Sequence, residues 1–134
     1  MEDILTQHEI GKQLRTSGRS IGRWYASAFV GRTEGTAIKL YSLKAVVAEI
    51  SNRAGHPLEP KHIPDLITLP EAEQILIDAG VRRSEQIWRR WARAQVGPAQ
   101  YKVGGNLRYL EPDVRSWAQY LKNCPRRYVV ELSA

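Results

Sequence analysis

Residues 84–109 read SEQIWRRWARAQVGPAQYKVGGNLRY, and they contain the signals that decide the fold. Ser84 is a preferred N-cap, and the residues from Glu85 to about Gln95 place apolar and basic side chains at helical spacing. A short apolar strand then precedes Gly104-Gly105-Asn106, which is typical of a tight hairpin turn because glycine readily adopts positive φ. This stretch therefore predicts a helix followed by a two-stranded ribbon.

The segments on either side of this stretch complete a regular order of signals. Upstream, Thr68 is followed three residues later by Glu71, which is the spacing of a capping box at a helix start. Downstream, apolar side chains recur at helical spacing at Val114, Trp117 and Leu121. The second half of the chain therefore predicts a helix, a turn, a helix, a two-stranded ribbon and a last helix.

The first half of the chain repeats the same order. Thr6 and Glu9 form another capping-box pattern, and Ser17 is placed to cap a helix that runs to about Ala28. A looser ribbon follows, and Ser42 is placed to cap a final helix. The two capping threonines are 62 residues apart in the sequence. We interpret the chain as one small unit used twice.

Beyond these signals, three stretches have a more specific pattern: Leu5-Thr6-x-x-Glu9-Ile10, Ser17-x-x-Ser20-Ile21-x-Arg23-Trp24 and Lys102-Val103-Gly104-Gly105-Asn106-Leu107-Arg108-Tyr109. The first two resemble the winged helix-turn-helix of excisionases and the MerR superfamily. The third is similar to the wing of excisionase-type DNA-binding domains. This resemblance covers most of residues 4–50 and 66–121. Neither block is followed by the long dimerisation helix of full MerR regulators, so we do not expect a small-molecule or metal sensor.

We therefore predict a mainly α protein with small β-hairpin wings, an α+β fold made of two tandem winged helix-turn-helix domains. The first domain spans residues 1–50 and the second spans residues 66–123, with a Pro-containing linker at 51–65 and a C-terminal tail at 124–134. The tail has short-strand character, and it either covers its own domain or adds a strand to a partner. We expect all four tryptophans to pack in the cores: Trp24, Trp88, Trp91 and Trp117.

Composition excludes several classes of function. The 134 residues have a formal net charge of +6, with one cysteine and three histidines. A single thiol excludes an internal disulfide framework, and the scattered histidines predict no metal site. The sequence shows no catalytic constellation or phosphate-binding loop, so we predict no catalytic residue and no cofactor. Without an apolar stretch long enough for a membrane span, we expect a cytoplasmic, nucleoid-associated protein.

The basic residues fall in two windows, each of which covers a predicted second helix and ribbon. Residues 12–44 contain seven basic residues and one acid, and residues 82–108 contain the same numbers. Helical spacing places these charges opposite the apolar side chains, as recognition of base edges in the major groove requires. An arginine-rich face is often merely solvated, but its coincidence with the helix-turn-helix pattern in both blocks favours DNA binding. The predicted DNA-binding residues are Ser17, Arg19, Ser20, Arg23, Arg32, Lys39, Arg82, Arg83, Gln86, Arg89, Arg90, Arg93, Lys102, Gly104, Asn106 and Arg108.

Double-stranded DNA is accordingly the predicted partner, and self-association on DNA is left open. The resemblance implies either an excisionase-like recombination directionality factor of a bacterial mobile element, with an integrase as partner, or a small transcription regulator, with RNA polymerase as partner. The alternative class is a protein-interaction adaptor that docks a recombinase or polymerase through its winged-helix units. RNA binding is disfavoured because the aromatic residues that would stack on bases are expected in the cores.

Overall fold

The computed structural model describes residues 3–81 and 85–123. Within them the helices are α1 (Gln7–Leu14), α2 (Gly18–Trp24), α3 (Leu43–Ala54), α4 (Leu69–Asp78), α5 (Glu85–Ala94) and α6 (Glu111–Asn123), with 3-10 helices at Ala26–Ala28 and Pro60–Asp65. The strands are β1 (Ile4–Thr6), β2 (Phe29–Arg32), β3 (Lys39–Ser42), β4 (Leu66–Thr68), β5 (Tyr101–Val103) and β6 (Asn106–Leu110). Helices account for 58% of the structure and strands for 19%, which confirms the α+β prediction.

The strands form two antiparallel sheets of three strands each, in the orders β1–β3–β2 and β4–β6–β5. Leu5 in β1 lies opposite Tyr41 in β3. Ile67 in β4 lies opposite Tyr109 in β6 in the same way. Both predicted ribbons are therefore present. In each half of the chain a third strand, β1 or β4, lies just before the first helix and pairs with the ribbon. The sequence did not indicate these added strands because a run of three residues is too short to show alternation.

The predicted helix caps form as the sequence pattern indicates. The Thr6 hydroxyl accepts a 3.2 Å hydrogen bond from the Glu9 amide, and the Glu9 carboxylate accepts a 3.0 Å hydrogen bond from the Thr6 amide. Thr68 and Glu71 form the same reciprocal pair at the start of α4. Ser17 and Ser42 cap α2 and α3 through their hydroxyls. Ser84, the expected cap of α5, lies outside the described residues.

A tight turn joins α1 to α2. Arg15 ends α1 in the left-handed conformation, with φ of 57°, and the Thr16 amide donates a 2.8 Å hydrogen bond to the Gly11 carbonyl oxygen. A β-carbon on Gly11 would lie only 2.7 Å from the carbonyl oxygen of Thr16. Glycine therefore allows the backbone of the turn to pack directly against α1.

The described residues form two compact units. The first unit contains residues 3–64 and 101–107, and the second contains residues 65–100 and 108–123. The sequence prediction differs from this division, because it places the boundary between the two domains at a linker, residues 51–65. The structure thus groups one short segment, here called the 101–107 hairpin, with the first unit, although its sequence position predicts it in the second domain.

Buried side chains explain why the 101–107 hairpin belongs to the first unit. Tyr101 and Val103 are 2% and 0% exposed. The Tyr101 hydroxyl donates a 2.7 Å hydrogen bond to the Pro57 carbonyl oxygen, and the His56 ring lies edge-on to the Tyr101 ring at a centroid distance of 6.3 Å. Because alternate residues of a strand point to opposite faces, Lys102 between them is exposed.

Residues 51–64 of the predicted linker at 51–65 belong to the first unit and contribute to its packing. Helix α3 continues to Ala54 and ends at Gly55, whose φ of 72° is the left-handed geometry that favours glycine. Leu58 and Ile63 are 6% and 8% exposed. The prolines suggested a linker. The burial was not visible in the sequence because a short 3-10 turn can bury apolar residues without the periodicity of an α-helix.

Tryptophans build much of the second unit's core. Trp88 and Trp91 are 2% and 1% exposed, and the Trp91 ring lies edge-on to the rings of Trp88 and Trp117, at centroid distances of 5.2 Å and 5.4 Å. The core prediction is wrong for Trp24, which is 42% exposed. Helix α2 ends at Trp24, and the next residue, Tyr25, leaves helical geometry and occupies the buried position at 1% exposure.

We predict that Gly11→Ala lowers the free energy of unfolding. The added methyl group would push the Thr16 carbonyl out of the turn, and overpacking of this kind costs about 1–3 kcal/mol, partly offset by the roughly 1 kcal/mol that alanine gains in a helix. Urea denaturation followed by circular dichroism measures the change. Gln13→Ala, on the exposed side of the same helix, is the control and should change stability by less than about 0.5 kcal/mol. A Gly11→Ala protein as stable as the wild type would contradict this account of the turn.

Candidate nucleic-acid interface

Helix α2 separates an exposed basic face from a buried apolar one. Arg19 and Arg23 are exposed one helical turn apart, while Ile21 is 0% exposed. The Ser17 hydroxyl accepts a 3.1 Å hydrogen bond from the Ser20 amide, and the two serine hydroxyls lie 2.9 Å apart. The structure therefore brings together the four predicted residues of α2 and its cap, with the serines fixing the start of the helix.

Helix α5 has the same division with a larger basic face. Arg89, Arg90 and Arg93 are exposed, whereas Ile87 and Trp91 are buried. Arg89 and Arg93 are four residues apart, as are Arg19 and Arg23 in α2. The aromatic core beneath the helix determines its rotation about its own axis, so that the arginines face solvent.

Three other predicted residues lie at or before the start of α5. Gln86 is in the first turn of the helix. Arg82 and Arg83 lie outside the described residues. The candidate surface of α5 accordingly consists of its three exposed arginines.

The β2–β3 ribbon places two cations opposite each other. Arg32 and Lys39 are Cα partners in the register of this ribbon, and both are exposed. The Arg32 guanidinium donates a 3.3 Å hydrogen bond to the Ala37 carbonyl oxygen and lies 5.9 Å from the centre of the Phe29 ring. These contacts hold one cation against the ribbon, beside the exposed ammonium group of Lys39.

The four residues predicted on the second ribbon fall in different environments. Lys102 and Asn106 are exposed. The Gly104 amide donates a 2.9 Å hydrogen bond to the Tyr25 hydroxyl, so in this conformation that amide contacts the protein itself. Arg108 lies opposite Thr68 in the β4–β6 pair and is 6% exposed. The structure therefore brings Lys102 and Asn106 to the surface, but not the Arg108 side chain.

Sequence reasoning missed Tyr25 and Arg53, which fix the end of α2. Arg53 donates a 2.9 Å hydrogen bond to the Trp24 carbonyl oxygen, and its guanidinium lies 5.4 Å from the centre of the Tyr25 ring. The same guanidinium forms an ion pair with Glu49 at 2.9 Å. The four-residue spacing of Glu49 and Arg53 was visible in the sequence, but their contact with α2 depends on tertiary structure.

Burial raises the pKa of the Tyr25 hydroxyl above its usual value of 10.0, although the Gly104 amide and the Arg53 charge act in the opposite direction. The hydroxyl therefore remains protonated at neutral pH. A protonated hydroxyl can donate to a carbonyl oxygen and accept from an amide at the same time. Tyr25 does both, since it also donates a 3.2 Å hydrogen bond to the Lys102 carbonyl oxygen.

Comparisons of this chain with protein-family models, with curated proteins and with solved structures give no match. Among the helices in residues 3–81 and 85–123, none has the length and apolar character needed to cross a membrane. The same residues contain no group of three or more histidine, cysteine, aspartate or glutamate side chains placed to hold a metal ion.

We predict that Tyr25 makes stability depend on alkaline pH. Its pKa is higher in the folded protein than in the unfolded chain, so its contribution is fully present below pH 10 and is lost as the pH rises through the folded value. Tyr25→Phe should lower the free energy of unfolding by about 1–2 kcal/mol at pH 8, since the variant loses two hydrogen bonds.

Urea denaturation of both proteins between pH 8 and pH 11.5 measures this effect. The other tyrosines are common to the wild type and the variant, so their titration cancels in the difference. The advantage of the wild type should shrink above pH 10. An advantage that is constant or grows across this range would show that the folded protein does not hold the Tyr25 hydroxyl in its neutral form.

Proposed function

We propose that this chain is a tandem winged helix-turn-helix protein that binds duplex DNA sequence-specifically and has no catalytic activity. In the first domain α2 is the recognition helix and β2–β3 is the wing. In the second domain α5 is the recognition helix, and the sequence pattern predicts β5–β6 as the wing that follows it. One observation supports this proposal above the others: both second helices expose arginines one turn apart, opposite a buried apolar face.

The dimensions and chemistry of these helices suit the major groove. The groove of B-DNA is about 12 Å wide, and an α-helix with its side chains is about 10–12 Å across. Arginine donates two hydrogen bonds to guanine O6 and N7, and each such pair contributes about 1–3 kcal/mol of discrimination between bases. Arg19 and Arg23 supply this chemistry on α2, and Arg89 and Arg93 supply it on α5.

The ribbons and the tandem arrangement add affinity. Arg32 and Lys39 place two positive charges side by side on the first wing, as contact with successive phosphates requires. Two linked domains also make the second contact intramolecular, which raises the effective concentration of the second domain. Two domains of modest DNA affinity then give a protein of higher affinity. Because the two domains differ in sequence, the DNA site need not be palindromic.

The biological role within this proposal is that of an excisionase-like directionality factor of a bacterial mobile element, which cooperates with an integrase, or of a small transcription regulator, which acts through RNA polymerase. Excisionase-like proteins bend DNA at recombination sites, and the sequence resemblance supports this option. DNase footprinting separates the two roles. Protection of attachment-site arms supports directionality control, whereas protection that overlaps promoter elements supports transcription.

A second candidate function is a protein-interaction adaptor, and one observation favours it. Phe29, Val30 and Ile38 on or next to the first ribbon are 42%, 52% and 48% exposed. Exposed apolar side chains are a feature of protein contact surfaces. The same ribbon also exposes two cations, Arg32 and Lys39. Its surface is therefore suited to contact with DNA phosphates as well as with a protein.

We predict that Arg23→Ala weakens binding to a selected duplex by at least about fivefold, with a smaller effect on random duplex, because a lost base contact removes discrimination. Arg115→Ala is the matched control. Arg115 is also an exposed helical arginine, but it forms an ion pair with Glu111 at 3.0 Å on α6. Electrophoretic mobility shifts measure both variants, and equal losses on selected and random duplex would contradict base recognition by Arg23.

We also predict a steep salt dependence for the wild-type protein. Neutralisation of about six phosphates should give a slope near −5 when the logarithm of the association constant is plotted against the logarithm of the salt concentration. Fluorescence anisotropy between about 50 and 200 mM salt gives this slope. An adaptor that does not bind DNA would show no measurable duplex affinity at any of these concentrations.

A further inference from the structure

The 101–107 hairpin is joined to α2 by two hydrogen bonds at Tyr25, the residue that follows this helix. The Tyr25 hydroxyl accepts a 2.9 Å hydrogen bond from the Gly104 amide and donates a 3.2 Å hydrogen bond to the Lys102 carbonyl oxygen. Tyr25 is 1% exposed, so its side of both bonds is buried. The backbone on both sides of Val103 is therefore fixed relative to the end of α2.

The two glycines of the hairpin turn lie directly against α2 and its preceding turn. A β-carbon on Gly104 would be 2.9 Å from the Ser20 β-carbon and 3.0 Å from the Thr16 hydroxyl oxygen. A β-carbon on Gly105 would be 3.1 Å from the Trp24 ring. Both glycines have positive φ, 58° and 87°. This turn requires glycine both for its conformation and for its close approach to α2.

The hairpin consequently brings polar side chains next to the basic face of α2. Ser20, which Gly104 approaches, follows Arg19 directly and precedes Arg23 by three residues. Lys102 and Asn106, on either side of the glycine turn, are exposed. A lysine ammonium group binds phosphate, and an asparagine amide binds either phosphate or a base edge. No carboxylate occurs between Glu85 and Glu111 in the sequence, so no acidic side chain within the hairpin opposes this use.

We propose that the 101–107 hairpin, held against α2 by Tyr25, is part of the DNA interface of α2, so that Lys102 and Asn106 contact the same half-site as Arg19 and Arg23. This inference rests on the proposed DNA binding. The hairpin follows α5 in the sequence, but it acts together with α2, the recognition helix of the first unit; we call this the pairing. Lys102 and Asn106 are then determinants of affinity and specificity at the half-site of α2.

Site-directed DNA cleavage tests the pairing directly. The full chain, with Cys124→Ser to remove its single cysteine, receives one new cysteine at a time through Arg23→Cys, Arg93→Cys or Asn106→Cys. Each cysteine is coupled to an iron chelate that cuts nearby DNA, and the probe is a duplex selected for binding from a random library. Each protein is used at a concentration that saturates the duplex, because replacement of a contact residue such as Arg23 weakens binding. We expect the cuts from position 106 to overlap those from position 23 and to be separate from those of position 93.

Each result of this experiment supports or overturns the pairing. Cuts from position 106 that coincide with those from position 93, or no cuts from position 106 while position 23 cuts, would overturn it and leave DNA binding by α2 intact. If the wild-type chain selects no duplex, the proposed function itself fails, and the pairing fails with it. Selection by the wild type therefore distinguishes the two failures.

An affinity measurement provides a second test with a matched control. Lys102→Ala should reduce the salt slope by about one, as expected for one lost phosphate contact, while Lys122→Ala, an exposed lysine on α6, should leave it unchanged. On duplexes mutated in the half-site cut from position 23, Lys102→Ala should cause little further loss. A loss that persists there, but disappears on duplexes mutated in the half-site cut from position 93, would contradict the pairing.

Discussion

Burial of one face of a short helix determines what its other face can do. In α2 and α5 the apolar side chains Ile21 and Trp91 are almost completely buried, and this fixes the rotation of each helix. The arginines at helical spacing on the opposite face are then exposed to solvent. The proposed DNA-binding faces are thus a direct consequence of core packing.

The 101–107 hairpin shows how one buried hydroxyl can hold a hairpin against the end of a helix. Tyr25 is buried, and its hydroxyl donates to the Lys102 carbonyl oxygen and accepts from the Gly104 amide. A buried hydroxyl without partners would cost free energy, so the hydrogen bonds and the burial depend on each other. The compact first unit is therefore assembled from two stretches that are distant in the sequence.

Much of the local structure could be predicted from the sequence because its causes are local. The capping boxes at Thr6 and Thr68 depend on residues three positions apart, and both form. The orientation of α5 followed from its arginine and tryptophan spacing. The burial of Arg108 and the exposure of Trp24 could not be predicted, because they depend on where a helix or strand ends and on which segment packs over it.

The division into units shows the same limit on a larger scale. A repeat with similar local signals predicts two equivalent domains, yet the sequence contains no local sign that Tyr101 bonds to Pro57 or that Gly104 packs on Ser20. These contacts join residues more than 40 positions apart. Prolines at 57, 60 and 64 also suggested a linker, and they gave no sign that Leu58 and Ile63 beside them are buried.

Selection of bound sequences from a library of random duplexes tests most directly whether the two arginine faces bind specific DNA. We expect enrichment of a site with two separated conserved elements, each containing guanine, because two different helices contact the major groove. Recovery of unenriched sequences, or of no duplex at all, would show that the two arginine faces do not bind specific DNA, and would favour a protein contact at the exposed apolar side chains of the first ribbon.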